Sequence, residues 1–157
     1  MNAVGDALDG KVVIETVNPL GVTADFKHFH DVAFMRESST AEDLQRRFPK
    51  TRVVKAFSML AAPMLEAVAW ETAPAPPGVP YATDDADAGR ITRELIADAG
   101  FKPIAAGPLK GARQIKQLGV FLHHVADHEY GGDPDLIRLA LAVVEASPSP
   151  VVRGRVA

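Results

Sequence analysis

Four short apolar segments, each followed by a helix signal, place the strongest constraint on the fold of this 157-residue chain. They lie at residues 11–16, 52–57, 79–83 and 101–106 and consist mainly of apolar, often β-branched side chains. Such runs, bounded by turn residues, are typical of buried strands. Because strands and helices alternate along the chain, the sequence predicts an α/β fold with a small, mainly parallel sheet and flanking helices.

Capping residues mark where several helices begin and end. Ser39 followed by Glu42 forms a capping box, which predicts a helix that runs to about Phe48, just before Pro49. Asp84 or Asp85 caps the helix after the third strand, and Gly100 ends that helix in a left-handed conformation. We expect the core face of this helix to contain Ala88, Ile91, Leu95, Ile96 and Ala99.

Other segments carry weaker signals. Asn18-Pro19-Leu20-Gly21 has turn chemistry, and the alternating residues from Phe26 to Met35 suit an extended segment. A last helix is expected to begin at Asp133-Pro134. We therefore expect one α/β domain over residues 1–146, followed by a loose tail over residues 147–157.

Composition excludes several classes of protein. Hydrophobic residues make up 47% of the chain and charged residues 24%, which is ordinary for a globular protein. The formal net charge of -3 gives no reason to expect a nucleic-acid partner. No apolar run approaches the roughly 20 residues of a membrane span. The chain has no cysteine, and its N-terminus does not resemble a signal peptide, so we expect a cytoplasmic location.

A sheet of only four strands leaves an edge to be covered. Residues 11–14 or 52–57 are the candidates for this exposed edge, since neither has the proline or charge pattern that protects natural edges. Self-association about a two-fold axis is the commonest way to cover such a surface. We therefore expect a homodimer, or a partner chain that covers the sheet edge.

Four landmarks occur in a characteristic order: Gly10-Lys11-Val12-Val13-Ile14 with Asn18-Pro19, then Arg52-Val53-Val54-Lys55-Ala56-Phe57, then Asp84-Asp85, and Gly107-Pro108-Leu109 with Ala112-Arg113. This series, from about Ala7 to Arg113, resembles the C-terminal portion of the NADP oxidoreductases that act with the deazaflavin coenzyme F-420. The resemblance implies a Rossmann-like fold and an NADP-linked oxidoreductase activity.

The resemblance also implies where a cofactor would lie. In the family, the loops after Asn-Pro, after Lys-Ala-Phe and at Gly-Pro-Leu border the nicotinamide and deazaflavin site. Matching positions in this chain are Asn18, Pro19, Phe57, Ser58, Gly107, Pro108 and Leu109. Two departures remove polar groups: Ser58-Met59 replaces the usual Asn-Thr, and Ala105 stands where an Asp is frequent.

The glycine-rich phosphate loop of the family has no counterpart in this sequence, so we expect a truncated Rossmann-like relative. Glycines and a helix N-terminus in that loop supply most of the grip on a dinucleotide. Gly107 and Gly111 precede a helix, but they lack the Lys-Ser/Thr of a phosphate loop and are better explained as turn residues. Binding of NADP or coenzyme F-420 to the isolated chain is therefore expected to be weak or absent.

Two histidine pairs form a second group of candidates. His28 and His30 would share one side of an extended segment, and Asp31 could orient one ring for acid–base chemistry. His124 and His128 share a helix face, as zinc ligands often do. No third ligand is indicated for either pair, so surface or structural roles are the ordinary explanation and no metal site is predicted.

Two functional hypotheses follow. The first is a truncated relative of nicotinamide- or deazaflavin-dependent oxidoreductases that binds or acts on a small organic substrate or cofactor, with a second chain contributing. The second is a cofactor-free remnant used as a binding or assembly module, or recruited to small-molecule acid–base chemistry through His28 and His30. The missing phosphate loop favours the second hypothesis, whereas the retained landmarks favour the first.

Overall fold

A computed structural model of the chain describes residues 3–24, 28–60, 62–65, 76–133 and 141. The strands are β1 (Val12–Glu15), β2 (Leu20–Val22), β3 (His28–His30), β4 (Arg52–Lys55), β5 (Gly78–Tyr81) and β6 (Lys102–Ala105). The α-helices are α1 (Ala3–Leu8), α2 (Val32–Glu37), α3 (Thr40–Arg47), α4 (Ala86–Asp98) and α5 (Ala112–Glu129). Short 3-10 helices cover Ala62–Leu65 and Leu109–Gly111.

Two parallel strand pairs form the centre of the fold. β1 pairs with β4 from Val12 opposite Arg52 to Glu15 opposite Lys55, and β5 pairs with β6. The two pairs meet where the backbones of Lys55 and Ala82 exchange hydrogen bonds of 2.9 and 3.0 Å. The expected α/β fold with small parallel sheets and flanking helices is confirmed.

The predicted strand 52–57 is not an exposed edge. β1 lies on one side of β4, and Ala82 and Thr83 lie on the other, where the Thr83 hydroxyl donates to the carbonyl of Val53 at 2.7 Å. Val53 and Val54 are buried accordingly. Within the described ranges, no strand pairs with the outer side of β1, so only the 11–14 candidate fits an open edge.

Residues 18–37 differ from the expectation of a turn followed by an extended segment. In the described part of the predicted extended segment, His28–His30 is the strand, and it pairs antiparallel with Leu20–Val22. Val32–Glu37 is helical because Asp31 accepts a 2.9 Å hydrogen bond from the backbone N–H of Phe34, which caps α2. The Asp31 carboxylate, which we expected to orient a histidine, thus caps α2.

The capping signals of the later helices are confirmed. Ser39 Oγ accepts from the backbone N–H of Glu42 at 3.2 Å, and Asp85 accepts from Ala88 at 2.8 Å. Gly100 has a φ of +84° just after α4, as a left-handed helix end requires. Caps of this kind contribute about 1 kcal/mol each, so they fix the ends of α3 and α4.

The expected core face of α4 is partly wrong. Ala88, Gly89, Thr92 and Ile96 are buried, whereas Ile91, Leu95 and Ala99 are exposed. Ile96 packs in a cluster with Ala56, Val79 and Phe101, and Ala88, Thr92 and Ile96 share one helix face. Most of the predicted last helix, after Asp133, and the predicted tail at 147–157 lie outside the described residues.

Candidate functional site

The carboxyl ends of β1 and β4 are braced by a buried ion pair. Lys55 Nζ lies 2.9 Å from Glu15 Oε2, and both side chains are buried. Lys55 also donates to the carbonyl of Val17, and Glu15 Oε1 accepts from the backbone N–H of Val17 at 2.6 Å. The pair therefore holds the loop that follows β1, because it binds both the N–H and the carbonyl of Val17.

Burial is the main influence on the pKa of Lys55. Desolvation lowers the pKa of Lys55, although the Coulombic attraction and hydrogen bond of Glu15 oppose the shift. A buried pair of this kind is weak evidence for stability, because desolvation of two charges offsets their attraction. Its geometry instead indicates a role in fixing the residues beside it.

Asn18 is the residue that this brace places over the end of β4. Its Nδ2 donates a 2.6 Å hydrogen bond to the backbone carbonyl of Ser58. Neither Asn18 Oδ1 nor Ser58 Oγ has a hydrogen-bond partner among the described residues, although both atoms are buried. Buried polar atoms are rarely left unpaired, so two of them on residues in contact with each other mark this point as unusual.

Phe57 introduces backbone strain at the same place. It has a φ of +61°, whereas every other positive φ in the described part of the chain belongs to glycine. A left-handed conformation is uncommon for a bulky side chain, and such residues cluster at functional sites. The Phe57 ring packs edge-on against Phe101 at 6.4 Å, which holds it in the core and turns the chain towards Ser58.

One face of α5 supplies the rest of the site. A Cβ at Gly119 would lie 2.5 Å from Asn18 Nδ2 and 3.1 Å from the carbonyl of Ser58, so only glycine lets Asn18 approach the helix this closely. Lys116 and His123 lie three residues before and four residues after Gly119, on the same face. Sequence reasoning did not single out any of these three residues.

His30 and His123 come together across β3 and α5. Their ring centroids are 5.9 Å apart. His123 lies about one helical turn beyond Gly119 in α5. Sequence reasoning paired His30 with His28, which lies in β3 opposite Val22, and the structure adds His123 as a neighbour of the His30 ring. The two residues are 93 positions apart, so no spacing signal could have shown their contact.

The Gly-Pro-Leu segment follows β6 and enters the 3-10 helix before α5. Gly107 has a φ of +86°, and its carbonyl accepts from the backbone N–H of Thr83 at 3.2 Å. Pro108 is exposed, whereas Leu109 is buried with Ala41, Val53 and Ala112. The Leu109 backbone N–H donates to Asp84 Oδ1 at 2.9 Å, so Asp84 fixes this loop.

The residues that the family resemblance places at a cofactor site fall into two groups in the structure. Asn18 and Ser58 touch, Phe57 precedes Ser58, and Pro19 is half-buried beside Asn18. The Leu109 side chain is directed into the core, and Gly107 and Pro108 lie at the ends of β5 and β6. A cleft of about 240 Å³ lies by this second group, lined in part by Asp84, Leu109 and Lys110.

The other histidine pair lies apart on the surface. The rings of His124 and His128 are 4.4 Å apart, and both side chains are exposed. His128 Nδ1 lies 3.1 Å from the carbonyl of His124. In the part of the chain that the structure describes, no three His, Cys, Asp or Glu side chains are grouped as metal ligands would be.

Together, the parallel strand pairs and the flanking helices define a Rossmann-like α/β protein. The fold is similar to that of a protein from Arthrobacter sp. FB24 that is provisionally described as an F420-dependent NADP reductase, with a TM-score of 0.70 and 22% identity. That similarity covers 80% of this chain and 56% of the other. The structural relationship indicated by the sequence motifs is thus confirmed at the level of the fold.

A second solved structure, the hypothetical protein SMa0349 from Sinorhizobium meliloti, matches with a TM-score of 0.55 and 23% identity over 75% of this chain and 58% of its own. This chain therefore spans little more than half the length of either protein. No protein-family model matches the sequence, and no curated protein matches it significantly. Of the described helices, none combines the length and apolar character of a membrane span.

Proposed function

We propose that this chain is a relative of nicotinamide- and deazaflavin-linked oxidoreductases, and that it binds the ring of a small organic substrate or cofactor at the ends of β1 and β4. The observation that carries the proposal is the contact of Asn18 with Ser58, since Asn18 Oδ1 and Ser58 Oγ are both buried and lack hydrogen-bond partners among the described residues. A ligand with both hydrogen-bond donors and acceptors would satisfy them, as a carboxamide or a deazaflavin ring edge does.

Two further features support this location. The ends of parallel strands are where open α/β sheets bind ligands. The strained Phe57 and the Lys55–Glu15 pair hold the backbone on each side of Asn18 and Ser58, as a preorganised binding site needs. NADP or coenzyme F-420 would supply the hydride chemistry, and the residues of this chain would orient the reacting ring.

Phosphate-binding groups beyond the residues of this sequence belong to the same proposal. The sequence contains no glycine-rich loop, so the diphosphate of NADP would depend on groups that these residues do not supply, such as those of a partner chain. The isolated chain should therefore gain little affinity from the adenosine and diphosphate parts of NADPH.

Calorimetric titration with NADPH and with reduced nicotinamide mononucleotide tests both parts. We expect weak and similar affinities, with dissociation constants roughly in the millimolar range, and loss of both interactions in Asn18→Ala. Lys110→Met, on an exposed residue beside the other cleft, is the control. Tight one-to-one NADPH binding would refute the dependence on a partner, and binding that Asn18→Ala leaves unchanged would refute the location.

One observation favours the alternative, acid–base chemistry on a small molecule. His30 was proposed for this role with His28, and its ring lies 5.9 Å from that of His123 on the same face of α5 as Gly119. Imidazoles titrate near neutrality and transfer protons readily. If ring ligands do not bind, His30→Gln and His123→Gln are the variants with which to test this alternative.

A further inference from the structure

Lys116 is a fully buried cation. Its Nζ donates to the backbone carbonyl of Ser38 and lies 5.2 Å from the centre of the Phe34 ring. Among the described residues, no carboxylate lies within ion-pair distance of Nζ; the nearby Glu42 forms its ion pair with Arg113 at 2.7 Å. Buried charges are normally paired, so this ammonium requires an explanation.

The two groups that contact the ammonium also form a wall of a cleft. A cavity of about 490 Å³ opens between α2 and α3 and is lined by Phe34 and Ser38. Its other lining residues include Arg36, Glu37 and Arg46. The volume lies within the range of small-molecule sites.

The charged side chains that line the cleft balance one another. Arg36 and Arg46 line it together with Glu37 and Asp43, so the lining is formally neutral. Arg46 is further tied to Asp43 by an ion pair and to Ser38 Oγ at 3.0 Å. Lys116 lies behind the wall formed by Phe34 and Ser38, where Glu42 and Asp31 attract its charge without forming a described ion pair with it.

We propose that the cleft between α2 and α3 binds a small organic carboxylate, which supplies the counter-charge that Lys116 lacks. A carboxylate carries the charge opposite to that of the buried ammonium behind the wall, and the Phe34 ring with Ala33 offers an apolar surface to the body of the ligand. The lining of this cleft shares no residue with the Asn18–Ser58 contact, and the proposal does not depend on nicotinamide or deazaflavin binding.

Benzoate and benzamide form the matched pair of probes, because they share a shape and differ in charge. A ligand that binds the folded state raises the melting temperature in proportion to its occupancy. We expect benzoate at tens of millimolar to raise the melting temperature of the wild-type protein above that in equal sodium chloride, and benzamide to have no effect. Equal effects of the two probes, or none from benzoate, would overturn the proposal.

Lys116→Met then tests the source of the attraction. We expect benzoate affinity to fall roughly tenfold or more, as for loss of one charge a few ångströms from a carboxylate. Lys110→Met, an exposed lysine outside this cleft, should keep wild-type affinity. Because the Met variant loses an unpaired buried charge, it should fold, and unchanged benzoate binding in it would count against Lys116.

The pH dependence gives a second measurement. Wild-type affinity for benzoate should fall as pH rises from 7 to 9.5, and Lys116→Met should show a flatter profile. The other charged groups that face Lys116 are Glu42, Arg113, Lys55 and Asp31, and the variant retains all four. A wild-type profile as flat as that of the variant would contradict the proposal.

Discussion

Lys55 Nζ lies 2.9 Å from Glu15 Oε2, and this buried pair joins the carboxyl ends of two neighbouring parallel strands. Both partners also bind the backbone of Val17: Lys55 donates to its carbonyl, and Glu15 accepts from its N–H. The position of the next residue, Asn18, thus depends on the Glu15–Lys55 ion pair, which the sequence did not predict.

Removing one member of the Lys55–Glu15 pair should lower the free energy of unfolding far more than removing both. Lys55→Met leaves Glu15 as an unpaired buried carboxylate, and we expect a loss of about 3–5 kcal/mol in the free energy of unfolding. The double variant Lys55→Met/Glu15→Leu should recover much of that loss because no buried charge remains. Urea unfolding of both variants and of Glu15→Leu measures the coupling, and additive losses would show that the pair does not act as a unit.

Lys116 should make stability depend on pH in alkaline solution. Burial lowers the pKa of Lys116 to about 8; Glu42 opposes this shift, while the nearby charges of Arg113 and Lys55 act with burial. The unfolded value is ~10.4, so the unfolded chain binds more protons between these two pH values. The penalty is fully present below pH 8 and is relieved as pH rises towards ~10.4.

We therefore expect Lys116→Met to be more stable than wild type near pH 7 by about 2–3 kcal/mol, with the difference shrinking towards pH 10. Comparison of the two proteins removes the contribution of Lys55, whose pKa is also lowered by burial. Urea denaturation at pH 7, 8.5 and 10 provides the measurement. A constant difference across this range would show that the charge of Lys116 is not what destabilises the fold.

Gly119→Ala should destabilise the protein although alanine favours helices. Its Cβ would lie 2.5 Å from Asn18 Nδ2 and 3.1 Å from the carbonyl of Ser58, so Asn18 must move. We expect a net loss of about 1–2 kcal/mol, against the usual gain of about 1 kcal/mol for this substitution in a helix. Gly89→Ala in α4, whose Cβ would meet Thr83 Cγ2 at 3.3 Å, is the milder control.

The double variant Asn18→Ala/Gly119→Ala refines this test. If the amide of Asn18 is the group that obstructs Cβ, the loss caused by Gly119→Ala should be smaller in the Asn18→Ala background. Equal losses in both backgrounds would assign the effect to the Ser58 carbonyl instead.

Self-association stays a prediction, now with β1 as its basis. Among the described strands, none covers the outer side of β1, and we expect a dimer with an interface of more than roughly 1,000 Å². Light scattering after size exclusion, across a wide dilution range, measures the mass directly. A monodisperse monomer at micromolar concentration would mean that residues of the same chain cover this edge.

Activity or binding should not require a transition metal. His124 and His128 are exposed and adjacent, and surface histidine pairs without a third ligand bind zinc only weakly. Elemental analysis of protein purified without a histidine tag should show metal well below one equivalent. Stoichiometric zinc that disappears in His124→Ala/His128→Ala would reverse this expectation.

Local signals in the sequence determined the class of fold and the helix ends. The apolar runs become β1, β4, β5 and β6, and the β-branched side chains that favour strands are concentrated in β1 and β4. The caps at Ser39 and Asp85 work because each needs only a backbone N–H three residues away. The order of Asn18-Pro19, Lys55-Ala56-Phe57 and Gly107-Pro108-Leu109 was enough to indicate the relationship that the fold comparison supports.

Tertiary structure alone decided which side chains meet. Glu15 and Lys55, Asn18 and Gly119, and His30 and His123 are each brought together by strand pairing or helix packing across at least forty residues. It likewise placed β4 between β1 and Ala82, buried Thr92 in α4 while exposing Leu95, and buried Lys116 without an ion pair to any described residue. Periodicity shows that a helix has an apolar face, but the rotation of that face and the partners of a buried charge depend on the elements packed against it.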